Sequence, residues 1–425
     1  MTNTKLSRLA ENLTSFSISK LSEKIDEKIK NGEKIFNFTL GDFSPLHFPI
    51  PQKLETEIIA AYRDKHTNYP FVGGMAELRI AIAKHINLHG QFDYEPDEII
   101  VSSGARPLIY LLFKTLVNPG EKIIYTVPSW NNQYFIYLAN AEPIIVAAKP
   151  ENNFVVTAAE IKPYLKDAAL ITINSPLNPS GTAFHNQSLM EIFDLIIAEN
   201  DHRAVLNQKP LYIFFDAIYW LLTYNDVKFT NPVLLCPKIK DYVIFVDGIS
   251  KCFAATGVRL GWAFGPKPII EKMRSMLSHI GAWAPKPEQI GTARFLQQHD
   301  EVNTFLATFK HEIFTRLNIF YTAMQKLKIA GHKVDAIEPQ GAIYLTVKFD
   351  LMGLKTADNK MLKTVGDVTN YLLEEGKVAL VPFYLFGADE NLPWFRLSVG
   401  TCSIDDAEIA AKHIEQAVKQ LKSSG

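Results

Sequence analysis

The stretch DGISKCFAATGVRLGW, residues 247–262, sets Lys251 eight positions before Arg259, with small and apolar residues between them. Burial and a neighbouring cation both disfavour an ammonium, so a lysine in such a setting is driven toward a neutral, nucleophilic amine. An amine of that kind condenses with carbonyls. Other residues with chemical character stand at the ends of apolar runs. SSGARP (102–107) opens a helical pattern, where backbone N–H groups of Gly104, Ala105 and Arg106 suit a phosphate, although the segment alone reads as well as a plain strand-to-helix turn. PSWNNQ places Trp130 where its ring either stacks on a planar ligand or fills the core. NSPLNPSG (174–181) fixes Asn178 in a turn between two prolines. FFDAIYW closes an apolar run with Asp216, a carboxylate that is costly to desolvate without a partner or a capping role, and Tyr219 follows three residues later. In WFRLSVG a lone arginine, Arg396, interrupts an apolar strand, so a carboxylate partner is expected.

These residues need elements to position them. Seven runs read as strands: 98–103, 121–127, 142–148, 168–174, 211–216, 242–247 and 259–265. Most are continuously apolar, as strands covered on both faces are, and they alternate with amphipathic stretches such as 105–117 and 188–200, where Leu189, Ile192, Phe193 and Ile196 share a face. That alternation predicts a mostly parallel sheet whose ligand sits outside the carboxyl ends of the strands. After GAWAPKPEQ the pattern changes to a long helix carrying Val302, Phe305, Phe309, Ile313, Leu317, Phe320, Met324 and Leu327 on one face. Strands near 342–349, 378–382 and 394–400 follow, then a helix opened by the Ser403-x-x-Asp406 capping pattern. The expected fold is α/β: a large domain built on a mostly parallel seven-stranded sheet, with a smaller α+β domain. Before it runs an amphipathic helix carrying Ile18, Leu21, Ile25 and Ile29, stopped at Asn31-Gly32. The expected boundaries are an arm over 1–45 that partly joins the small domain, a large domain over 46–288 and a small domain over 289–425.

Composition excludes several function classes. With 44 basic and 45 acidic residues in 425, the formal charge is -1, which offers no footprint for nucleic acid or an anionic membrane. The N-terminus lacks the apolar run of a signal peptide and no segment is long enough to span a bilayer. Three scattered cysteines predict no disulfide, and a cytoplasmic protein is expected. His85 and His89 stand i, i+4 as metal ligands can, but without a third ligand they are expected to be a surface pair, and no metal is expected.

Taken together, the residues ask for one ligand with a phosphate, an aromatic ring, a basic ring nitrogen and an aldehyde. Pyridoxal 5'-phosphate has all four. The order of NYPFVGGMAELRIAIA, VSSGARPL, PSW, NSPLNPSG, DAIY, SKCFAATGVRLGW and FRLSVG resembles the fold-type I pyridoxal-phosphate aminotransferases of class I/II along nearly the whole chain. The resemblance implies that Lys251 condenses with the cofactor aldehyde and Arg259 binds its phosphate, joined by Gly104, Ala105, Arg106 and Ser250. It assigns Asp216 to the ring nitrogen, Asn178 and Tyr219 to the phenolic oxygen, and Trp130 to stacking on the ring. Asn178, Arg396 and Gly41 would meet the substrate, with Arg396 on its α-carboxylate. Tyr69 would reach the phosphate in a neighbouring subunit, which implies a homodimer. Many relatives carry a serine where Gly248 stands, so one phosphate contact is left open. The implied reaction is ping-pong transfer of an amino group between an L-amino acid and a 2-oxo acid. Other reactions of the same cofactor, a β-elimination or a cyclisation like that of aminocyclopropane-carboxylate synthesis, stay open, as does a non-catalytic cofactor-binding regulator. Phe43, Trp130, Phe383, Tyr384 and Phe386 are candidates to line the pocket, a lining that would favour aromatic or large neutral side chains, with the alternative that most of them are core.

Overall fold

The computed structural model describes residues 5–13 and 19–423. Seven strands form the large sheet: β1 (Ile99–Ser102), β2 (Lys122–Val127), β3 (Glu142–Ala147), β4 (Ala168–Asn174), β5 (Tyr212–Asp216), β6 (Val243–Gly248) and β7 (Gly261–Phe264). Their order is β1-β7-β6-β5-β4-β2-β3. All pairs are parallel except those of β7, which runs antiparallel to both β1 and β6.

Alternation along the strands sends side chains into two cores, one on each face. In β6, Phe245 enters one core with Phe264, Phe215 and Phe92, whereas Ile244 and Val246 enter the other with Leu108, Leu112 and Met273. Both faces are covered, which is why these strands read as unbroken apolar runs. Edge strand β3 departs from that pattern: it lies at the margin of the sheet, where Glu142, Pro143 and Ile145 are exposed.

A third core lies between the helix His299–Ile329, the helix Ile404–Gln420 and a four-stranded antiparallel group that includes Tyr344–Phe349 and Trp394–Ser398. The expected apolar stripe on the 31-residue helix is buried, with Phe305 alone only part-buried. Ser403 caps the last helix by accepting from the Asp406 N–H at 3.0 Å, and its own hydroxyl donates to the Asp406 carboxylate at 2.8 Å. The helix Ser19–Lys30 precedes a parallel pairing of Phe36–Asn37 with Val378–Ala379, which carries residues 39–42 toward the large sheet. Ile25 is buried beside it, Ile29 is exposed, and Ile18 lies outside the described residues.

His85 and His89 are not a surface pair. His85 is 1% exposed and packs against Trp220 and Phe253, with its ring 4.7 Å from that of His89. The apolar composition of its helix face, Ile82 and Ile86 included, draws the first histidine inward. Burial, with His89 and His299 close by, depresses its pKa to about 3, so it is neutral in the fold. Among the described residues, no group of three or more potential ligands is arranged for a metal, all three cysteines are free, and no helix is long and apolar enough to cross a membrane.

Candidate active site

A cavity of about 740 Å³ opens at the carboxyl ends of β4, β5 and β6. Period-two alternation puts Phe214 and Asp216 on the same face of β5, and both line it. Asp216 sits at the floor and accepts the Ile218 N–H at 3.2 Å. Burial lifts its pKa to about 6, and the Ile218 N–H and the Lys251 charge pull it back, which leaves the carboxylate mostly ionised at neutral pH. Behind it on β6, the fully buried Asp247 accepts Trp220 Nε1 at 2.8 Å, and burial pushes its pKa to about 7.

Lys251 follows β6 in the four-residue helix Ile249–Cys252. Its Nζ donates to the Gly41 carbonyl at 2.5 Å. Burial lowers its pKa to about 8, opposed by Asp42 and assisted by Arg396, Arg106 and Arg259. The lysine therefore has the depressed basicity expected from its surroundings.

Close backbone packing sets the distance between Lys251 and the helix Ala105–Leu116. Gly248 and Gly261 are register partners, and a Cβ on Gly248 would lie 2.8 Å from the Gly261 Cα and the Leu260 carbonyl oxygen. A Cβ on Gly261 would in turn come within 2.6 Å of the Ala105 nitrogen. No serine fits at position 248 without moving this seam, which is the physical reason for glycine there. Gly104, at φ +89°, leaves room for Arg259, whose Nη2 would lie 2.2 Å from a Cβ at that position. Arg259 donates to the Thr256 and Ser103 carbonyls at 2.7 and 3.3 Å. The Gly104 N–H is already bonded to the Ser102 carbonyl at 2.8 Å, which narrows the expected cradle to the first N–H groups of the helix, those of Ala105 and Arg106.

Arg396 is buried between the rings of Tyr344 and Phe386, at 4.7 and 4.8 Å from their centroids. It donates through Nη1 to Asn178 Oδ1 at 3.0 Å and through Nη2 to the Thr39 carbonyl at 2.5 Å, while its Nε is buried without a partner. The carboxylate that the sequence led us to expect is not supplied by the chain: among the described residues none pairs with Arg396. Asn178 is held from behind, its N–H donating to Asn174 Oδ1 at 2.8 Å. Tyr219 meets the Tyr344 hydroxyl at 2.6 Å.

Gly41, Ala105, Arg106, Trp130, Asn178, Asp216, Tyr219, Ser250, Lys251, Arg259 and Arg396 all line this one cavity. Tyr69 does not: it is 85% exposed and meets the edge of Trp283. Of the five aromatic residues expected to line the pocket, only Trp130 does. Phe43 packs on Phe48 and Phe309, Phe383 on Phe154, and Phe386 on Arg396, so apolar demand of the cores claimed them. Sequence reasoning missed Thr39, Asp42, Asn174 and Tyr344. Asn174 carried a signal, a polar residue ending a strand level with Asp216, its register partner.

The donor set fits pyridoxal phosphate: a lysine amine of lowered pKa, a floor carboxylate, a guanidinium beside a helix N-terminus, and a glycine at the point where a side chain would fill the cradle. The profile of Aminotransferase class I and II matches residues 33–414, and the chain belongs to that family. Its cofactor is pyridoxal phosphate, and its reaction moves an amino group between an amino acid and a 2-oxo acid. The probable aspartate/prephenate aminotransferase of Rickettsia felis is 31% identical over 374 residues, spanning 87% of this chain and 86% of the relative. The aspartate aminotransferase of Geobacillus stearothermophilus is 30% identical over 414 residues, 97% and 98% of the two chains. The fold is shared with the crystal structure of the Rhizobium meliloti aspartate aminotransferase, with a TM-score of 0.88 at 23% identity over 99% of this chain and 100% of that one.

Proposed function

We propose that this aminotransferase runs a ping-pong cycle on a dicarboxylic amino donor, and that three cavity arginines divide the anions among them. The observation that carries this reading is a count of charges. Arg106, Arg259 and Arg396 all line the cavity, and among the described residues none of the three is paired with a carboxylate. A phosphate and a substrate with two carboxylates would satisfy one arginine each. The names of the relatives, aspartate and aspartate/prephenate aminotransferases, support the same substrate class.

In this reading Ala105 and Arg106 N–H groups, Ser250 and Arg259 hold the phosphate. Asp216 holds a proton on the ring nitrogen, and Tyr219 and the Asn178 amide N–H₂ donate to the phenolic oxygen. The bound cofactor supplies an electron sink for the pair left when the substrate α-proton departs. Lys251 takes that proton at Nζ and returns it, Arg396 fixes the α-carboxylate, and the Trp130 ring excludes water from the cofactor face. The Arg106 guanidinium, exposed along the wall and 4.7 Å from the Trp130 centroid, meets the distal carboxylate. The small domain over 289–425 closes on the large one over 46–288, with the arm moving with the small domain. We assign the enzyme to the cytoplasm.

Arg106→Gln tests the substrate class. It should lower kcat/KM for aspartate or glutamate by roughly 10–100-fold, as for loss of a charge-assisted hydrogen bond, and leave alanine and cofactor affinity nearly unchanged. An equal loss for alanine, or weakened cofactor binding, would overturn the assignment.

The active unit in this proposal is a homodimer in which Tyr69 serves the neighbouring phosphate site. Tyr69 and Phe71, 85% and 76% exposed, form a protruding aromatic surface suited to burial against a second copy. Sedimentation at assay concentration should return a dimer, and Tyr69→Phe should weaken cofactor retention. A fully active monomer would contradict it.

A further inference from the structure

We infer that Tyr344 is a positioning residue for amino transfer: its hydroxyl donates to Tyr219 and so turns the Tyr219 hydrogen into the cavity, toward the cofactor's phenolic oxygen. The inference rests on the assignment of Tyr219 to that oxygen.

Two phenols 2.6 Å apart share one hydrogen bond, and its direction decides which of them keeps a hydrogen for a ligand. Both side chains are buried, at 2% and 1% exposure. If Tyr219 donated to Tyr344, it would have no hydrogen left for the cavity that it lines. The Tyr344 hydrogen would then have no protein acceptor among the described residues, where Tyr219 is its sole hydrogen-bond partner, and would depend wholly on a ligand in the cavity that Tyr344 also lines. With Tyr344 as donor both hydroxyls are used, one inside the protein and one toward the ligand.

The surroundings hold Tyr344 where this requires. Its strand, Tyr344–Phe349, pairs antiparallel with the strand of Arg396, Thr346 standing opposite Arg396 and Tyr344 opposite Ser398. The Arg396 guanidinium covers one face of its ring. Its hydroxyl is walled by Gly41, where a Cβ would come within 2.7 Å of the oxygen, and its carbonyl oxygen would be 2.1 Å from a Cβ on Gly181. Tyr344 thus touches the carboxylate clamp, the Tyr219 phenol and the residue whose carbonyl receives Lys251. Burial raises the pKa of both phenols, which keeps both protons in place near neutral pH.

The experiment is a spectroscopic titration of the cofactor-loaded enzyme, with Tyr344→Phe, Tyr219→Phe and the double variant beside the wild type. A donor to the phenolic oxygen favours its anionic form and lowers the pKa at which the visible absorbance changes, so losing the donor raises that pKa. Tyr344→Phe leaves Tyr219 its hydrogen and removes only the bond that orients and polarises it, so it should raise that pKa by about 0.5 unit or less, and Tyr219→Phe should raise it by about 0.5–1 unit, the worth of one neutral hydrogen bond. The double variant should match Tyr219→Phe alone, because Tyr344 acts through Tyr219. Phenylalanine keeps the ring beneath Arg396, so the affinity of a dicarboxylate competitive inhibitor should stay near wild type. A Tyr344→Phe titration coincident with wild type, or a shift that persists in full on the Tyr219→Phe background, overturns the inference while leaving Tyr219 in its role. If Tyr219→Phe itself leaves the titration in place, that assignment fails and the inference fails with it.

Discussion

Lys251→Ala is expected to lower kcat by roughly 10⁴-fold or more, since it removes both the covalent partner of the cofactor and the group that moves the proton. Among the described residues Lys251 is the one lysine that lines the cavity. Borohydride reduction of the wild type followed by peptide mapping should place the label on Lys251, and the variant should carry none. In cofactor-free protein the neutral amine is the reactive form, and its pKa is lowered to about 8. The rate of its modification by an aldehyde probe should therefore climb through about pH 8 and level off above it. Label on another lysine, or turnover of the variant near wild type, would remove Lys251 from the chemistry.

The second large effect belongs to Asp216→Asn. An amide cannot hold a proton on the ring nitrogen by charge, so removal of the substrate α-proton should slow by roughly 10²–10³-fold, comparable to the loss of a charge-stabilising contact in other active sites. Cofactor affinity should fall far less, because phosphate and lysine contacts are untouched. A single-turnover half-reaction with α-deuterated donor measures the step directly: the isotope effect should grow as proton removal becomes slower. A variant that completes the half-reaction at wild-type speed would assign Asp216 a capping role instead, toward the Ile218 N–H that it already accepts.

Much of this was legible because strand ends are where polar residues are conspicuous. Asp216 and Lys251 stand just beyond apolar runs, Asn178 is fixed in a turn between two prolines, and most of the seven strands announce burial on both faces. Tyr344 carried no such mark. It sits inside AIYLTVKF, where a tyrosine reads as core, and only the fold brings it to Tyr219 across 125 positions. The aromatic residues misled for the opposite reason: sequence distinguishes large apolar side chains from polar ones but not which core will claim them. His85 was misplaced because i, i+4 spacing says which residues share a helix face and not whether that face looks outward.

Residues 39–42 enter the cavity from the side of the small sheet, and two of their carbonyls receive the two cations on which the chemistry is built. Thr39 accepts from Arg396 and Gly41 from Lys251, although those side chains are 145 positions apart in the chain. Both cations are thus tethered to a single short length of main chain. Any excursion of that segment withdraws two acceptors in one movement, so recognition of the substrate and readiness of the nucleophile share a mechanical degree of freedom.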